Sequence, residues 1–331
     1  MSTWTRKKGR SKAKSQEVDY LYGYHSVLPA LEQGRRVAKA VHVRESGSDP
    51  SSTEDNPHQT YQDRLLALAH ERDIPIVKHT SREGLSRLSG GRPHQGVVLE
   101  TETLRQLPRL TQLTWPSPPL GGEGQGQEDE SKYYYGIPTD APNHLLPFSP
   151  PQIKGRYPLW LALDRIQDPQ NLGAILRSAY YFGVDGVVLG MKEAALPSST
   201  ASRASAGAME YFEHFYHTSR MRSFLQKSAE AGWAILGPFP PSSTDTVDEG
   251  RQRRGKREDL PVMPLQPPPG PSILVFGNEG KGLGLGLTQV LTHRITIPSG
   301  NPSRSPWVDS LNVATTAGIL IHALTQVKHK G

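Results

Sequence analysis

The feature that most constrains the fold is an alternation of strand-like and helix-like segments in the second half of the chain. Polar residues and glycines stand where strand gives way to helix, at residues 164–178, 273–283 and 297–314. Such alternation predicts a mostly parallel sheet with helices on both faces. In open sheets of this kind ligands bind outside the carboxyl ends of the strands. The pattern therefore indicates an enzyme before it indicates which reaction.

Composition sets the outer limits. A chain of 331 residues suggests about two domains. A hydrophobic fraction of 35% is low for one compact globule, so part of the chain is expected to carry no core. The absence of cysteine excludes disulfides, thiolate nucleophiles and zinc–thiolate sites. No apolar run approaches the roughly 20 residues needed to span a bilayer, so we expect a soluble protein with no membrane partner.

The net charge of +6 is located at the amino terminus. Residues 1–16 contain six lysines and arginines and no acid, and the remainder is formally neutral. Such a tail favours a polyanion through counterion release. A solvated tail, or the remnant of a targeting segment, is an interpretation of similar weight. We therefore predict that residues 1–19 are a disordered basic tail.

Residues 20–104 are predicted to form a small α/β unit, because helix-spaced apolar residues alternate with short strand-like runs. The predicted elements of this unit are helices at 23–31 and 61–72 and strands at 37–43, 74–77 and 94–99.

Two segments rich in proline, glycine and glutamine follow no sustained period. We predict that residues 105–158 are a linker and that about 240–271 is a low-complexity insertion on the surface of the second domain, residues 159–331. Neither segment contains enough apolar surface to offset its ordering entropy.

The second domain alternates strand and helix. Strands are predicted at 159–163, 186–190, 233–236, 273–276 and 294–297, and helices at 171–182, from 205 onward, at 220–231 and at 311–325.

Several polar residues at the three junctions are candidates for chemistry, and each also has a structural interpretation. Arg177 follows Asn171 by six residues on a predicted helix, where a surface ion pair and a helix cap are the structural interpretations. Glu279 would otherwise interact with a helix dipole in a first turn. Ser310 would otherwise be a helix cap, and Asn312 a turn hydrogen bond.

The glycine-rich run at 277–282 lets backbone approach a ligand closely. Its spacing matches neither the phosphate-binding loop nor the dinucleotide fingerprint, so both kinds of site are excluded. The 12 histidines show no metal-ligand spacing, and no metal is predicted.

Together the three junctions resemble motifs one, two and three of the SpoU (TrmH-like) branch of the SPOUT RNA ribose 2′-O-methyltransferases. The resemblance covers about 159–327 apart from the insertion. Residues 20–104, which end in His94-Gln95-Gly96 and a strand, resemble the accessory RNA-binding domain, similar to the ribosomal protein L30/L7Ae fold. The resemblance is closest to enzymes that methylate a guanosine ribose in mitochondrial large-subunit rRNA.

The resemblance implies a parallel-sheet SPOUT fold with a deep trefoil knot, a rare exception to the rule against knots, and a homodimer. It implies S-adenosylmethionine as cofactor, S-adenosylhomocysteine as product, and no metal. The residues that match the catalytic positions are Arg177, Asn171, Glu279, Ser310 and Asn312. The residues that match cofactor contacts are Gly277, Ile297, Leu311, Leu189 and Gly190.

The chain departs from the family pattern by an insertion at 301–309, before Ser310. The expected function is methylation of mitochondrial rRNA, with ribosomal RNA as partner and the mitochondrion, otherwise the cytoplasm, as location. Two alternatives stay open at this point: a tRNA ribose methylase of the same fold, and a non-catalytic rRNA-binding assembly factor.

Overall fold

A computed structural model describes residues 18–45, 57–104, 107–115, 134–138, 146–148, 151, 156–239, 258–261, 269–301, 307–308 and 310–326. The predicted basic tail lies outside the described residues except for its last two. Much of the predicted linker and of the predicted insertion also lies outside them.

The amino-terminal unit is a four-stranded sheet with three helices, which confirms the predicted small α/β fold. Its strand order is β1-β4-β2-β3, antiparallel except for the parallel pair β2 and β3. Apolar residues of the first two helices pack on the sheet around Leu21, Leu65 and Leu99. The elements are β1 (Val18–Tyr22), α1 (Tyr24–Gln33), β2 (Ala38–Arg44), α2 (Pro57–Glu71), β3 (Ile76–His79), α3 (Arg82–Leu88) and β4 (Val97–Glu102).

A three-stranded antiparallel sheet lies within the segment predicted to be linker, so that prediction is wrong at these residues. Its strands are β5 (Leu110–Thr114), β6 (Tyr134–Pro138) and β7 (Leu146–Phe148). The sheet is small, and it survives because Leu110, Leu113 and Phe148 are buried in the core around Trp160. Its apolar residues are few and scattered, which is why composition favoured a linker.

The carboxyl-terminal unit is built on a seven-stranded sheet in which every neighbouring pair is parallel, as the alternation predicted. The strand order is β10-β9-β8-β13-β11-β14-β12. The elements are β8 (Leu159–Leu163), α4 (Pro169–Tyr181), β9 (Gly186–Gly190), α5 (Ser199–Ala204), α6 (Ala208–Tyr211), β10 (Phe215–Thr218), α7 (Met221–Glu230), β11 (Ala234–Phe239), β12 (Glu258–Pro261), β13 (Ser272–Phe276), α8 (Leu285–Thr288), β14 (His293–Thr296) and α9 (Val313–Thr325).

Both faces of this sheet are covered. Along β8, Leu161 and Leu163 join the core under α4 and α9, whereas Trp160 and Ala162 join the core under α7. Successive side chains of a strand point to opposite faces, so one apolar run supplies two cores. This is why the strand has no polar alternation in its sequence.

Two further predictions are corrected in this unit. The predicted insertion is not wholly without structure, because β12 pairs with β14 at the sheet edge, where main-chain bonding needs no apolar pattern and proline is tolerated. The helix predicted from 205 onward is instead split into α5 and α6. Ala206 and Gly207, at φ 50 and φ 79, turn the chain between them.

The two units meet through a buried ion pair. Arg36 Nε donates to Glu210 Oε1 at 2.9 Å, and the two side chains are 1% and 0% exposed. Arg36 Nη1 also reaches Asp19 at 3.2 Å, and the Tyr211 hydroxyl donates to Glu32 at 2.6 Å. Burial raises the pKa of the Glu210 carboxyl above its ordinary value, and the charge of Arg36 offsets this only in part.

The same contact explains the glycine between α5 and α6. A Cβ at Gly207 would overlap the carbonyl oxygen of His25 and the ring of Pro29 in α1. The left-handed turn and the close approach of α1 therefore both require glycine. The contact fixes the amino-terminal unit against the carboxyl-terminal unit.

We expect Glu210→Ala to lower the free energy of unfolding by about 3–5 kcal/mol, since it leaves the Arg36 charge buried without its main partner. Urea denaturation followed by tryptophan fluorescence and circular dichroism measures the change. Glu213→Ala, which removes an exposed carboxylate three residues away, is the matched control and should unfold like the wild type. Equal midpoints for the two variants would contradict the assigned role of the ion pair.

Candidate active site

A cavity of about 880 Å³ opens at the carboxyl ends of β11, β13 and β14. The loops after β13 and β14 form most of its wall, and the start of α9 closes it. Three predicted cofactor contacts, Gly277, Ile297 and Leu311, line it, as do Glu279 and Ser310. The structure therefore brings most of the predicted site residues to one place.

The loop after β13 folds back on itself. Gly282 N donates to the Asn278 carbonyl at 2.8 Å, and the Asn278 side chain accepts from the amides of Gly280 and Lys281, both at 3.0 Å. Gly277 lies under this turn, where an added Cβ would overlap the Gly282 carbonyl and lie 2.7 Å from Leu283 N. Only glycine fits at position 277 without moving the turn.

The carboxylate of Glu279 joins this loop to the loop after β8. It accepts from the amides of Gln167 and Asp168, both at 2.9 Å, and from Asn171 Nδ2 at 3.4 Å. Desolvation raises the pKa of Glu279, but the hydrogen bonds outweigh it and hold the pKa below its ordinary value. The residue lies outside any helix, so the first-turn interpretation is wrong. The described contacts join Glu279 to the loop before α4 rather than to Arg177.

The helix caps also differ from the structural interpretations above. The cap of α4 is Asp168, whose side chain accepts from Gln170 N at 2.8 Å. The cap of α9 is Asn312, which accepts from Ala314 N at 2.8 Å. Asn171 and Ser310 are therefore not the capping residues, and those two interpretations are wrong. The Asp168-Pro169 pair is itself a helix-start signal that identifies the cap from sequence.

The first turn of α4 contacts the start of α9 through two amides. Asn312 Nδ2 donates to Asn171 Oδ1 at 3.1 Å. Because Asn171 also reaches Glu279, the side chains Glu279, Asn171 and Asn312 form one chain of hydrogen bonds. We call this chain the Glu–Asn–Asn network. It links all three junctions that the sequence singled out.

Arg177 lies on the exposed side of α4, about 9 Å along the helix axis from Asn171 at 1.5 Å per residue. Within the part of the chain that the structure describes, it makes no hydrogen bond or ion pair. A surface ion pair inside this chain is therefore not the role of Arg177 there. A guanidinium presented in this way is available to an external anion.

Leu189 and Gly190 do not reach the large cavity. They end β9, and the whole of β8 separates this strand from β13. Leu189 is buried in the core, while Gly190 lines a second cavity of about 370 Å³ together with Asp164 and Arg220. The geometry does not support these two residues as contacts for a ligand in the large cavity.

The described residues hold no group of three or more histidines, cysteines or acids suited to a metal ion. None of the described helices combines the length and the apolarity that crossing a membrane requires.

Two family models match this chain. The SpoU rRNA Methylase family matches residues 158–322, and the model for RNA 2′-O ribose methyltransferase substrate binding matches residues 20–107. A relative from Schizosaccharomyces pombe named "rRNA methyltransferase 1, mitochondrial" is 32% identical, over 93% of this chain and 90% of the relative. The human protein of the same name is 31% identical over 94% of this chain and 73% of the relative.

A solved structure resembles the fold of the whole chain. The AdoMet-bound rRNA methyltransferase from Sinorhizobium meliloti has a TM-score of 0.56 and covers 93% of this chain and 86% of its own. At 19% sequence identity this likeness concerns the fold alone. It confirms the predicted pairing of a parallel-sheet domain with an amino-terminal α/β unit, whereas the trefoil knot stays a prediction.

We expect Glu279→Ala to speed amide hydrogen exchange in a peptide that covers residues 164–172, because the amides of Gln167 and Asp168 lose their acceptor. The loss of charge-assisted bonds worth about 1.5–3 kcal/mol each corresponds to roughly 10- to 100-fold faster exchange. Mass spectrometry measures the rates, and Glu71→Ala, at an exposed carboxylate of α2, serves as control. Unchanged exchange in this peptide would show that the carboxylate does not hold the loop.

Proposed function

Because the chain belongs to the SpoU rRNA methylase family, we propose that it transfers the methyl group of S-adenosylmethionine to a ribose 2′-hydroxyl, that of a guanosine in mitochondrial large-subunit rRNA. The observation that carries the proposal is the Glu–Asn–Asn network at the edge of the large cavity. It places hydrogen-bonding amides from two junctions beside a space large enough for a nucleoside cofactor.

The residues of the large cavity fit S-adenosylmethionine. Phe239, Leu283 and Ile297 supply apolar wall for an adenine ring, and backbone is brought close at Gly277, where no Cβ fits. The Glu279 carboxylate also borders the cavity, on the side where a cationic group is accommodated. When bound, the cofactor supplies a methyl group on a sulfonium, which an oxygen nucleophile can accept.

The task that remains for the chain is to orient a hydroxyl and stabilise its developing negative charge. Asn171 and Asn312 present amides at the junction of α4 and α9, where they can hold a ribose. Arg177 contributes a free guanidinium on the same helix as Asn171. We assign it to the phosphate next to the target and to the developing alkoxide. It is not the base, because guanidinium has five donors and no acceptor.

Glu279 is also not the base that takes the 2′-hydroxyl proton. Its oxygens already accept from backbone amides, and its depressed pKa favours the ionised form. We assign it the positioning of Asn171. A water or the phosphate oxygen of the substrate is left to accept the proton.

The remaining parts of the proposal follow from the comparisons and the surface. The relatives named above are mitochondrial, and residues 20–107 match a substrate-binding model, which supports rRNA bound across both units in that organelle. Tyr181 on α4 is 81% exposed and Ile319 on α9 is also exposed. Apolar side chains on these two helices support the proposed homodimer.

The main test maps 2′-O-methyl positions in ribosomal and transfer RNA of cells that lack the protein and are complemented with variants. Wild type and Lys227→Ala, an exposed cation on α7, should restore one guanosine methylation in the large rRNA. Arg177→Ala should lower transfer about 10²- to 10³-fold, as expected when one donor to developing charge is lost, while RNA binding persists. Arg177→Lys keeps the charge but not the fork and should recover only part of the rate.

Several outcomes would count against the proposal. An rRNA map that does not change on loss of the protein, with a tRNA position lost instead, would replace rRNA by tRNA as substrate. Full transfer by Arg177→Ala would remove that residue from the site.

The cofactor assignment has its own test in a pair of glycines. Gly277→Ala forces the loop after β13 to move, so we expect at least a tenfold loss of affinity for S-adenosylmethionine, which equals about 1.4 kcal/mol. Gly300→Ala lies on the same cavity with open space around the new methyl group and should bind like the wild type. Isothermal titration calorimetry measures both, and equal affinities would place the cofactor elsewhere.

A further inference from the structure

A second groove lies beside the large cavity, on the other side of the loop that follows β13. It is the cavity of about 370 Å³ at the carboxyl ends of β8, β9 and β10, closed below by α8. Four cationic side chains line it, and we call it the cation groove. They are Arg165, Lys192, Arg220 and Arg222.

Positive charge in the cation groove is not balanced by its own acids. Only Asp164 and Glu193 line it with the opposite charge, and Asp164 is paired with Arg165 at 3.0 Å. Lys192, Arg220 and Arg222 are exposed and form no ion pair with the residues that the structure describes. The folded part of the chain thus concentrates charge here, although its formal total is near zero.

One more cation extends the groove along the sheet edge. Arg109, just before β5, bridges to β10 at His217 and donates from Nη2 to Ser219 Oγ at 2.7 Å. Ser219 itself lines the groove. The cations therefore form a row rather than one point.

The floor and the walls suit a nucleotide chain. Met191 is partly exposed on one side, and Met221 and Leu287 form an apolar base between the cations. The walls are held together because Met191 N donates to the Thr218 carbonyl at 3.2 Å, which ties the loop after β9 to the end of β10. A mixture of fixed cations and apolar surface is what a single-stranded nucleic acid requires.

The cation groove is continuous with the Glu–Asn–Asn network. The carbonyl of Arg165 accepts from Asn278 Nδ2 at 3.2 Å, and two residues further on the Gln167 amide is held by Glu279. Leu283 lines the large cavity while the adjacent Gly284 lines the groove. An RNA strand with its ribose at Asn171 therefore has a cationic path leading away from the reacting nucleotide.

We propose that the cation groove binds the backbone phosphates of the single-stranded RNA that flanks the methylated nucleotide. The proposal rests on the proposed function, since it takes the same RNA as the ligand. The observations favour RNA over an acidic protein segment, because every flanking nucleotide carries a phosphate close to the reacting ribose. The groove thus adds affinity and register without reading a base.

The experiment compares full-length variants that keep the catalytic residues. Arg222→Ala and Lys227→Ala each remove one exposed cation from α7, but only Arg222 lines the groove. The third variant combines Lys192→Ala, Arg220→Ala and Arg222→Ala, and the fourth replaces the same residues conservatively as Lys192→Arg, Arg220→Lys and Arg222→Lys. The probes are single-stranded oligouridylate and a transcript of the large-subunit rRNA.

The slope of log affinity against log salt counts phosphate contacts, at about 0.7 per phosphate for a single strand. We expect Arg222→Ala to reduce the slope by roughly 0.7 and the triple alanine variant by roughly 2, while Lys227→Ala and the conservative triple stay near wild type. The triple alanine variant should raise KM for the transcript about 10- to 100-fold with kcat and S-adenosylmethionine affinity unchanged.

The two proposals fail in different ways. If wild type methylates rRNA and the triple alanine variant keeps the wild-type slope and KM, the cation groove does not bind RNA and the proposed function stands. If wild type loses salt slope in the triple variant but methylates no RNA, the groove is supported as an RNA site and the enzyme assignment fails. A fall in kcat alone would overturn the groove, because it would indicate a defect at the reacting centre.

Discussion

The site depends on one carboxylate. Glu279 lies after β13, yet its oxygens accept from the amides of Gln167 and Asp168, 112 and 111 residues earlier in the chain. Hydrogen bonds to an ionised acceptor are the strong ones, and here they also fix a third partner, Asn171. Through Asn171 the same bond network reaches the cap of α9, 141 residues away. Three loops that share no sequence neighbourhood become one surface through a single side chain.

Much of this arrangement is readable from the sequence because it is local. The apolar runs at β8 and β9 are buried on both faces, and their predicted and observed bounds agree. The Asn171-to-Arg177 spacing lies on a helix, and the glycines at 277–282 form a tight turn, as expected. What the sequence does not contain is the order of strands. Since β13 inserts between β8 and β11, the cavity lies away from β9, and Leu189 and Gly190 lie outside it.

The same limitation explains the strands that composition missed. Strands β5, β6 and β7 have a few apolar residues each, and they are stabilised by a surface that another segment supplies, such as Ser228 Oγ, which accepts from Leu113 N at 2.9 Å. β12 is held by main-chain bonds to β14 at the sheet edge. In both cases the partner determines the structure, and no local period announces it. Charge shows the opposite relation: a total near zero in the folded part conceals a row of cations that only the fold assembles.

The strand order has a consequence for how the chain is made. The amino-terminal unit has all of its strands once synthesis passes Glu102. The central strand β8 then emerges with β9 for one neighbour, but its other neighbour, β13, follows more than one hundred residues later. Until Phe276 leaves the ribosome, the most apolar strand of the protein keeps an open edge, a state that invites aggregation. The first unit is thus free to fold early, while the second is exposed to chaperones for most of its synthesis.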